Sequence, residues 1–536
     1  MNHIRARRAL LRQISGLAAS SAVVCDVGAK SHSTQETQST AQIAVGISPS
    51  ALVRDDKGET AWARIRINDR ILRKQLPEPF LGFNINFLNF QEAFFGPDSV
   101  HPEVISHLRM LPGCTYRYPG GLVANTFDWE GAVGSMSTRR QQLNLERMPP
   151  APVRFGPAEY LQFCESVHGR AFYVLNLVGW NAQRRSTEMP TANVTASNRR
   201  LAEWRRTHEA NAQFRYYQLG NELDRSDYEW PHSKYIERCR ASMDAILTVD
   251  PQARFIAFLR DFNWRYRGRA GVSRAEDFAR DVLRGLPDLD GYSLNVYYDS
   301  PREDRTTDIP HRLRAIKQTV EAVRSLTSGR AGLWITEHAR QLPKDQRAGS
   351  MLDTSGIDGA ISSADFILSM ASLPELKGMF WHAVGSGKWS LFSVEGSAVT
   401  PTPVYWAMRM LHSVSQGEIL DSITESSNRS AYAGGYDCRA LAFGDAGRDT
   451  LRVALINRHS SSMQARLLFR PWAQRSAVVS MSYVSDTAQS QRARARMEVE
   501  LVAGTPDTRV RLGPEGDLIS TIPPRSVCII KLALSN

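Results

Sequence analysis

The sequence predicts a (β/α)₈ barrel followed by a C-terminal antiparallel β-sandwich. Between about residues 80 and 414, short apolar runs alternate with segments of helical period, and eight such units can be counted. From residue 415 onward the rhythm changes to short alternating stretches broken by Gly, Pro, Asp and Ser, the pattern of an antiparallel sandwich. The 536-residue length agrees with two units, because single cores stop growing at roughly 250 to 300 residues.

The chain opens on "MNHIRARRALLRQISGLAASSAVVCDVGAK", a basic start with Arg5, Arg7, Arg8 and Arg12 ahead of a moderately apolar, small-residue stretch. Residues 1–29 read as an export signal, with Arg7-Arg8 resembling a twin-arginine motif, and imply a periplasmic or extracellular protein. Cys25 is a candidate lipidation cysteine, although Val23-Val24 ahead of it does not suit such a site. Residues 30–45 form a polar linker. In 46–79, "ARIRINDRILRKQL" alternates like a strand and is expected to join the later sandwich.

The barrel region offers eight candidate strands: 80–87, 113–121, 171–178, 215–222, 254–262, 291–299, 332–339 and 376–385. Each is followed by an amphipathic stretch, as in "YIERCRASMDAIL", where apolar residues recur at three and four. Near-continuous apolar strands alternating with such helices indicate a parallel sheet covered by helices. No later segment reaches the ~20 apolar residues of a spanning helix.

Composition excludes some classes of function. Hydrophobic residues at 42% and charged residues at 23% are those of a globular chain. The formal charge of +11 accompanies no recognisable nucleic-acid module and reads as a solvated basic surface. Six cysteines without a CxxC pair indicate neither a zinc site nor a redox motif; Cys114, Cys164 and Cys239 read as buried thiols, while pairing of Cys438 with Cys528 is open. No cofactor is expected.

The active site of such a barrel lies at the C-terminal ends of its strands. Those ends carry Asn84 and Asn86, Arg117, Asn176, Asn221-Glu222, Asn295 with Tyr297-Tyr298, Glu337-His338, and Trp381-His382. Two carboxylates stand out, Glu222 at the fourth strand and Glu337 at the seventh. A retaining glycosidase needs this pair, one acid to protonate the departing oxygen and one carboxylate to attack the anomeric carbon. Desolvation is expected to raise the Glu222 pKa and keep it protonated.

The motifs "QLGNE" and "ITEHA" resemble the acid/base and nucleophile signatures of the clan A retaining glycoside hydrolases. "YRYPGGLVANTFDWEGAVG" (116–134) and "PTPVYWAMRML" (401–411) are similar to segments of the family 51 α-L-arabinofuranosidases. The resemblance implies Glu222 as acid/base, Glu337 as nucleophile, Asn221 on the hydroxyl beside the anomeric carbon, and Arg117 paired with Glu337. It places Tyr297 as a donor to the nucleophile and Trp381 as a stacking floor, with Tyr298 and Trp389 as the alternatives. Asn84, Asn176 and Asn295 are hydroxyl ligands or else loop caps. His338-Ala339 stands where family 51 usually has Trp-Asn, and Tyr118 where it more often has Trp. Partial matches extend to families 39, 44 and 79. The expected substrate is therefore a polysaccharide or oligosaccharide. The alternatives are a glucuronidase-like hydrolase of an acidic exopolysaccharide, its cleft lined by residues such as Arg184, Arg185, Arg199, Arg200, Arg205 and Arg206, and a barrel that binds carbohydrate without cleaving it.

Overall fold

The computed structural model describes residues 61–535, apart from 79, 88–93, 96–98, 143–149, 180–187, 210–213, 226–229, 261–274, 301–306, 330, 343–350, 396–397, 428–435, 486–501 and 504–506. The basic start, Cys25, the polar linker, Arg184 and Arg185 lie outside the described residues.

Eight parallel strands close into a barrel: Leu81–Asn84, Thr115–Tyr118, Arg170–Val174, Tyr216–Leu219, Arg254–Phe258, Gly291–Tyr298, Gly332–Arg340 and Leu376–Trp381, the eighth pairing back with the first. Because side chains alternate across a strand, every second residue faces the lumen. Phe172, Ile256, Trp334 and Phe380 meet there as one aromatic and aliphatic layer. Tyr116, Tyr118, Tyr173 and Tyr217 point the other way and pack under the surrounding helices.

Helices follow the strands, among them Thr191–His208, His232–Leu247, Ile309–Leu326 and Ile357–Met370. In His232–Leu247 the buried positions Tyr235, Arg238, Cys239, Ser242 and Ile246 recur at three and four, so one stripe faces the barrel. Helix Ile357–Met370 is buried nearly all round, because the barrel covers one side and the second domain the other.

That second domain is a mostly antiparallel sandwich with its own core, which includes Ile65, Leu420, Val453, Leu467 and Ile530. Strand Trp62–Arg73, from before the barrel, lies inside it, antiparallel to Glu418–Ser426 and parallel to Met463–Leu468. Charged pairs join the two domains. Asp365 on Ile357–Met370 accepts from Arg439, Arg458 and the Tyr436 hydroxyl, and Arg458 also reaches Asp299 at 3.0 Å. The five described cysteines, Cys438 and Cys528 included, are buried free thiols.

Candidate active site

Four strand ends converge on one buried guanidinium. Arg117, on the second barrel strand and fully buried, donates from Nε to Gln218 Oε1 at 2.7 Å, from Nη1 to Asn84 Oδ1 at 2.5 Å and to Glu337 Oε1 at 2.9 Å, and from Nη2 to Asn221 Oδ1 at 2.6 Å. A planar fork with five donors suits such a set of acceptors, which a single ammonium could not span. Burial pushes the Arg117 pKa down, and the Glu337 carboxylate opposes that shift.

Glu337 faces the lumen because of a bulge. Ile335 pairs with Leu294 but Glu337 pairs with Asn295, so the seventh strand carries one extra residue there. Strict alternation from inward Trp334 would have turned His338 inward instead. Glu337 Oε2 accepts from the Tyr297 hydroxyl at 2.9 Å, and His382 Nδ1 lies 3.8 Å from the same oxygen. Burial first, then the charges of Glu337 and Glu222, raises the Tyr297 pKa well above its ordinary value, so it stays a donor.

Glu222 lies three residues past the fourth strand, after Gly220 at φ +73° and itself at φ +49°. A left-handed backbone is uncommon for a residue other than Gly and is costly. Its surroundings fix it: Asn125 Nδ2 donates to Asn221 O at 2.6 Å, Asn221 N donates to Asn125 Oδ1 at 3.1 Å, and Gln218 Nε2 donates to Gly220 O at 3.0 Å. Glu222 is 7% exposed, and both oxygens of its carboxylate accept from donors. Oε1 accepts from Arg260 Nη1 and from Asn295 Nδ2, both at 3.1 Å; Oε2 accepts from Arg225 Nη1 at 2.7 Å. Arg260 also grips Asp224 through two bonds of 3.0 and 3.1 Å.

This environment corrects the expectation of a raised Glu222 pKa. Burial does push it up, but the charges of Arg260 and Arg225, with hydrogen bonds from Arg225 and Asn295, outweigh burial and hold the carboxyl well below its ordinary value. Burial alone decided the sequence argument, whereas two guanidiniums decide the structure.

The structure thus brings together Asn84, Arg117, Asn221, Glu222, Asn295, Tyr297 and Glu337, with Asn295 touching Glu222 and accepting from Thr336 Oγ1 at 3.1 Å. Asn84 is spent inside the barrel, donating to Thr336 O at 2.8 Å as well as accepting from Arg117. Asn176 caps a loop, its Oδ1 accepting from Val178 N and Gly179 N at 3.0 and 2.7 Å, and does not join the cluster. Trp381 is also set apart. Phe380 faces the lumen, so Trp381 faces outward, edge-on to His338 at 5.9 Å. Beside Glu337 the rings are Tyr297, His382 and Trp389, with Trp389 5.8 Å from Tyr297 and 5.5 Å from His382.

Sequence reasoning missed Arg225, Arg260, Asp224, Gln218 and Asn125. Arg260 could have been found as the charged residue closing the fifth run, and Gln218 as the polar residue inside an apolar one. A cavity of about 360 Å³ lies to one side, lined by Asp128, Trp129, Asn176, Asn193 and Arg200, and includes neither carboxylate. Among the described residues no group of three His, Cys, Asp or Glu side chains is placed to hold a metal ion.

Comparison with known proteins adds independent findings. No family model matches the chain. It is 28% identical over 213 residues to an intracellular exo-α-(1→5)-L-arabinofuranosidase of Streptomyces lividans, covering 38% of this chain and 30% of that one. It is 24% identical over 262 residues to intracellular exo-α-(1→5)-L-arabinofuranosidase 1 of Bacillus subtilis, covering 44% and 49%. The chain therefore spans half or less of the length of these curated relatives. Among solved structures, an α-L-arabinofuranosidase of Thermotoga maritima superposes with TM-score 0.67 at 14% identity, over 88% of this chain and 99% of that one. A family 44 xyloglucanase of Paenibacillus polymyxa superposes with TM-score 0.55 at 10% identity, over 88% and 100%.

The relatives' names overturn the expectation of export, since both of these relatives are named as intracellular enzymes. Sequence relatives and solved structures alike bear out the resemblance drawn from the strand-end motifs: the chain is similar to the family 51 arabinofuranosidases and has a fold shared across clan A.

Proposed function

We propose that the chain is a retaining glycoside hydrolase of α-L-arabinofuranosidase type, acting on a carbohydrate by double displacement. The observation that carries this reading is the convergence of Glu222 and Glu337 on one buried cluster at the C-terminal mouth of the barrel, linked through Arg117, Asn221 and Asn295. Nothing in the relatives favours cutting at a uronic acid or a barrel that only binds.

In the first displacement a Glu337 oxygen attacks the anomeric carbon, the glycosidic bond breaks, and Glu222 gives its proton to the leaving oxygen. In the second, Glu222 takes a proton from water, whose oxygen attacks the same carbon and releases Glu337 as carboxylate. Asn221 spends its side-chain oxygen on Arg117, which leaves its amide nitrogen as donor to the neighbouring hydroxyl. Such a contact helps only if it strengthens in the transition state. Trp389 and His382, rather than Trp381, wall the nucleophile's side of the site.

The test is a panel of aryl glycosides, arabinofuranoside, xyloside, glucoside and glucuronide, with NMR of the first-formed anomer, run beside Glu337→Gln. Cleavage of the arabinofuranoside with retention, lost in the variant, is expected. Inversion, or full activity in Glu337→Gln, would sink the reading.

A further inference from the structure

Two arginines of the sandwich domain reach the active-site mouth of the barrel side by side. Strands Thr450–Asn457 and Ser526–Ser535 pair with Asn457 opposite Ser526, so Arg458 and Arg525 stand together at one end of that pair. Arg525 N donates to His459 O there at 2.9 Å. The Arg525 side chain pairs with Asp358, which pairs in turn with Arg340 Nη1 at 3.1 Å, three residues past Glu337 on the seventh barrel strand. Arg458 is anchored on Asp365 through Nε at 3.1 Å and Nη2 at 2.5 Å. The same Nη2 extends to Asp299 Oδ2 at 3.0 Å, two residues past Tyr297 on the sixth strand. The two side chains are 9% and 5% exposed, so this pair is little screened by solvent.

What these contacts hold is the turn behind the nucleophile's donor. Asp299 ends the sixth strand at φ +50°, a left-handed backbone that persists where its neighbours impose it. Its Oδ1 accepts from Ile309 N at 3.3 Å, its N–H donates to Thr307 O at 2.9 Å, and its carbonyl accepts from Arg340 Nε at 3.1 Å, all within the barrel. Arg458 adds a charge-assisted bond from the other domain. Tyr297 lies two residues back, and its hydroxyl must stay 2.9 Å from Glu337 Oε2 to act as a preorganised donor. Relaxation of the turn at Asp299 rotates the strand end, and the length of the phenol side chain magnifies that rotation at the hydroxyl.

We propose that Arg458 is a positioning residue of the active site: by holding Asp299, it makes the sandwich domain fix the end of the sixth strand and keep the Tyr297 hydroxyl on Glu337. It acts through Asp299 and Tyr297 rather than on the sugar. This rests on the glycoside hydrolase reading above. The sandwich is then part of the catalytic apparatus, a brace for the strand that supplies the nucleophile's donor.

The experiment is a double-mutant cycle between Asp299 and Tyr297, read on the aryl glycoside that the panel selects. Asp299→Asn keeps the side chain's shape, an acceptor for Ile309 N and tolerance of a left-handed backbone, and removes the charge that Arg458 holds. In the wild-type background kcat should fall about tenfold with KM changed by less than about twofold, a smaller loss than a ~1 Å misplacement brings. In Tyr297→Phe, which has no hydroxyl to misplace, Asp299→Asn should change kcat by less than about twofold. A purely structural role gives a different result, since a smaller folded fraction cuts kcat by the same factor in both backgrounds. Arg458→Lys keeps a charge beside Asp365 but gives up the fork, so its kcat loss should likewise vanish in Tyr297→Phe, and it replaces Asp299→Asn if that variant does not fold. Wild-type kcat in the folded variant, or losses that multiply across the two backgrounds, overturns the brace and leaves the hydrolase reading standing. Failure of the wild type to cleave any glycoside of the panel overturns both.

Discussion

Arg117 Nη1 lies 2.9 Å from Glu337 Oε1, with neither side chain more than 5% exposed. Because the same guanidinium also holds Gln218, Asn84 and Asn221, it sets the nucleophile and the segment carrying Glu222 in one frame. Arg117→Lys keeps the charge but gives up the fork. Displacements of about 1 Å cost on the order of 100-fold in rate, so kcat/KM should fall by roughly that factor while the protein stays folded by circular dichroism. Arg117→Ala leaves Glu337 buried without its counter-charge and should cost about 3 to 5 kcal/mol in chemical denaturation. Wild-type kinetics in Arg117→Lys would remove Arg117 from the positioning frame.

Tyr297 gives Glu337 its second donor, at 2.9 Å. Burial and the neighbouring carboxylates keep the phenol protonated well beyond its ordinary range, so the wild-type alkaline limb does not come from Tyr297. Tyr297→Phe should lower kcat about 100-fold, the scale seen when one preorganised donor is removed from a charged reacting group. The shape of the pH profile should be unchanged. A new alkaline limb, or an unchanged kcat, would contradict this.

Trp381 and Trp389 separate by the face they occupy. Trp381 is wholly buried against His338, so Trp381→Ala should cost about 3 to 5 kcal/mol of stability and leave KM of the folded fraction nearly unchanged. Trp389 packs beside Tyr297 and His382, so Trp389→Ala should raise KM about tenfold, near 1.4 kcal/mol. Steady-state kinetics with a denaturation curve on each variant distinguishes the two; the opposite pattern would return Trp381 to the site.

The barrel was legible because its signal is long and repeated: eight apolar runs, each with an amphipathic partner, leave few alternatives. The outward turn of Trp381 was legible too, had period two been applied from Phe380. Two features were out of reach. The bulge between Ile335 and Glu337 decides which residue of "TEH" faces the lumen, and no residue type in that stretch announces it. The ion pairs on Glu222 come from Arg225, on the following segment, and Arg260, two residues past the end of the next strand. Their distances depend on loop geometry that pattern does not encode. Reading burial without them gave the wrong sign for the shift.

Acid should unfold the chain in two stages. His338 is fully buried, paired through Nδ1 with the Tyr298 hydroxyl at 2.9 Å, and burial lowers its pKa from 6.5 to about 3. The native state therefore refuses a proton that the unfolded chain accepts below pH 6.5. Stability is full above 6.5 and falls toward pH 3, by up to about 1.4 kcal/mol per pH unit. Asp365 acts later. Burial pushes its pKa up, but Arg439 and Arg458 outweigh it and hold it below 3.8, and Asp358 is lowered likewise by Arg340 and Arg525. Depressed carboxylates stabilise above their unfolded pKa, so this contribution is intact above about pH 4 and is lost as pH falls through the lower native values. His338→Phe should flatten the decline between pH 6.5 and 4 and leave the steeper acid loss. Asp365→Asn should cost about 3 to 5 kcal/mol already at pH 7, because Arg439 and Arg458 lose their buried partner, and should soften the loss below pH 4. Urea denaturation at half-unit pH steps on the three proteins reads both windows; an unchanged slope in His338→Phe would assign the first window to another group.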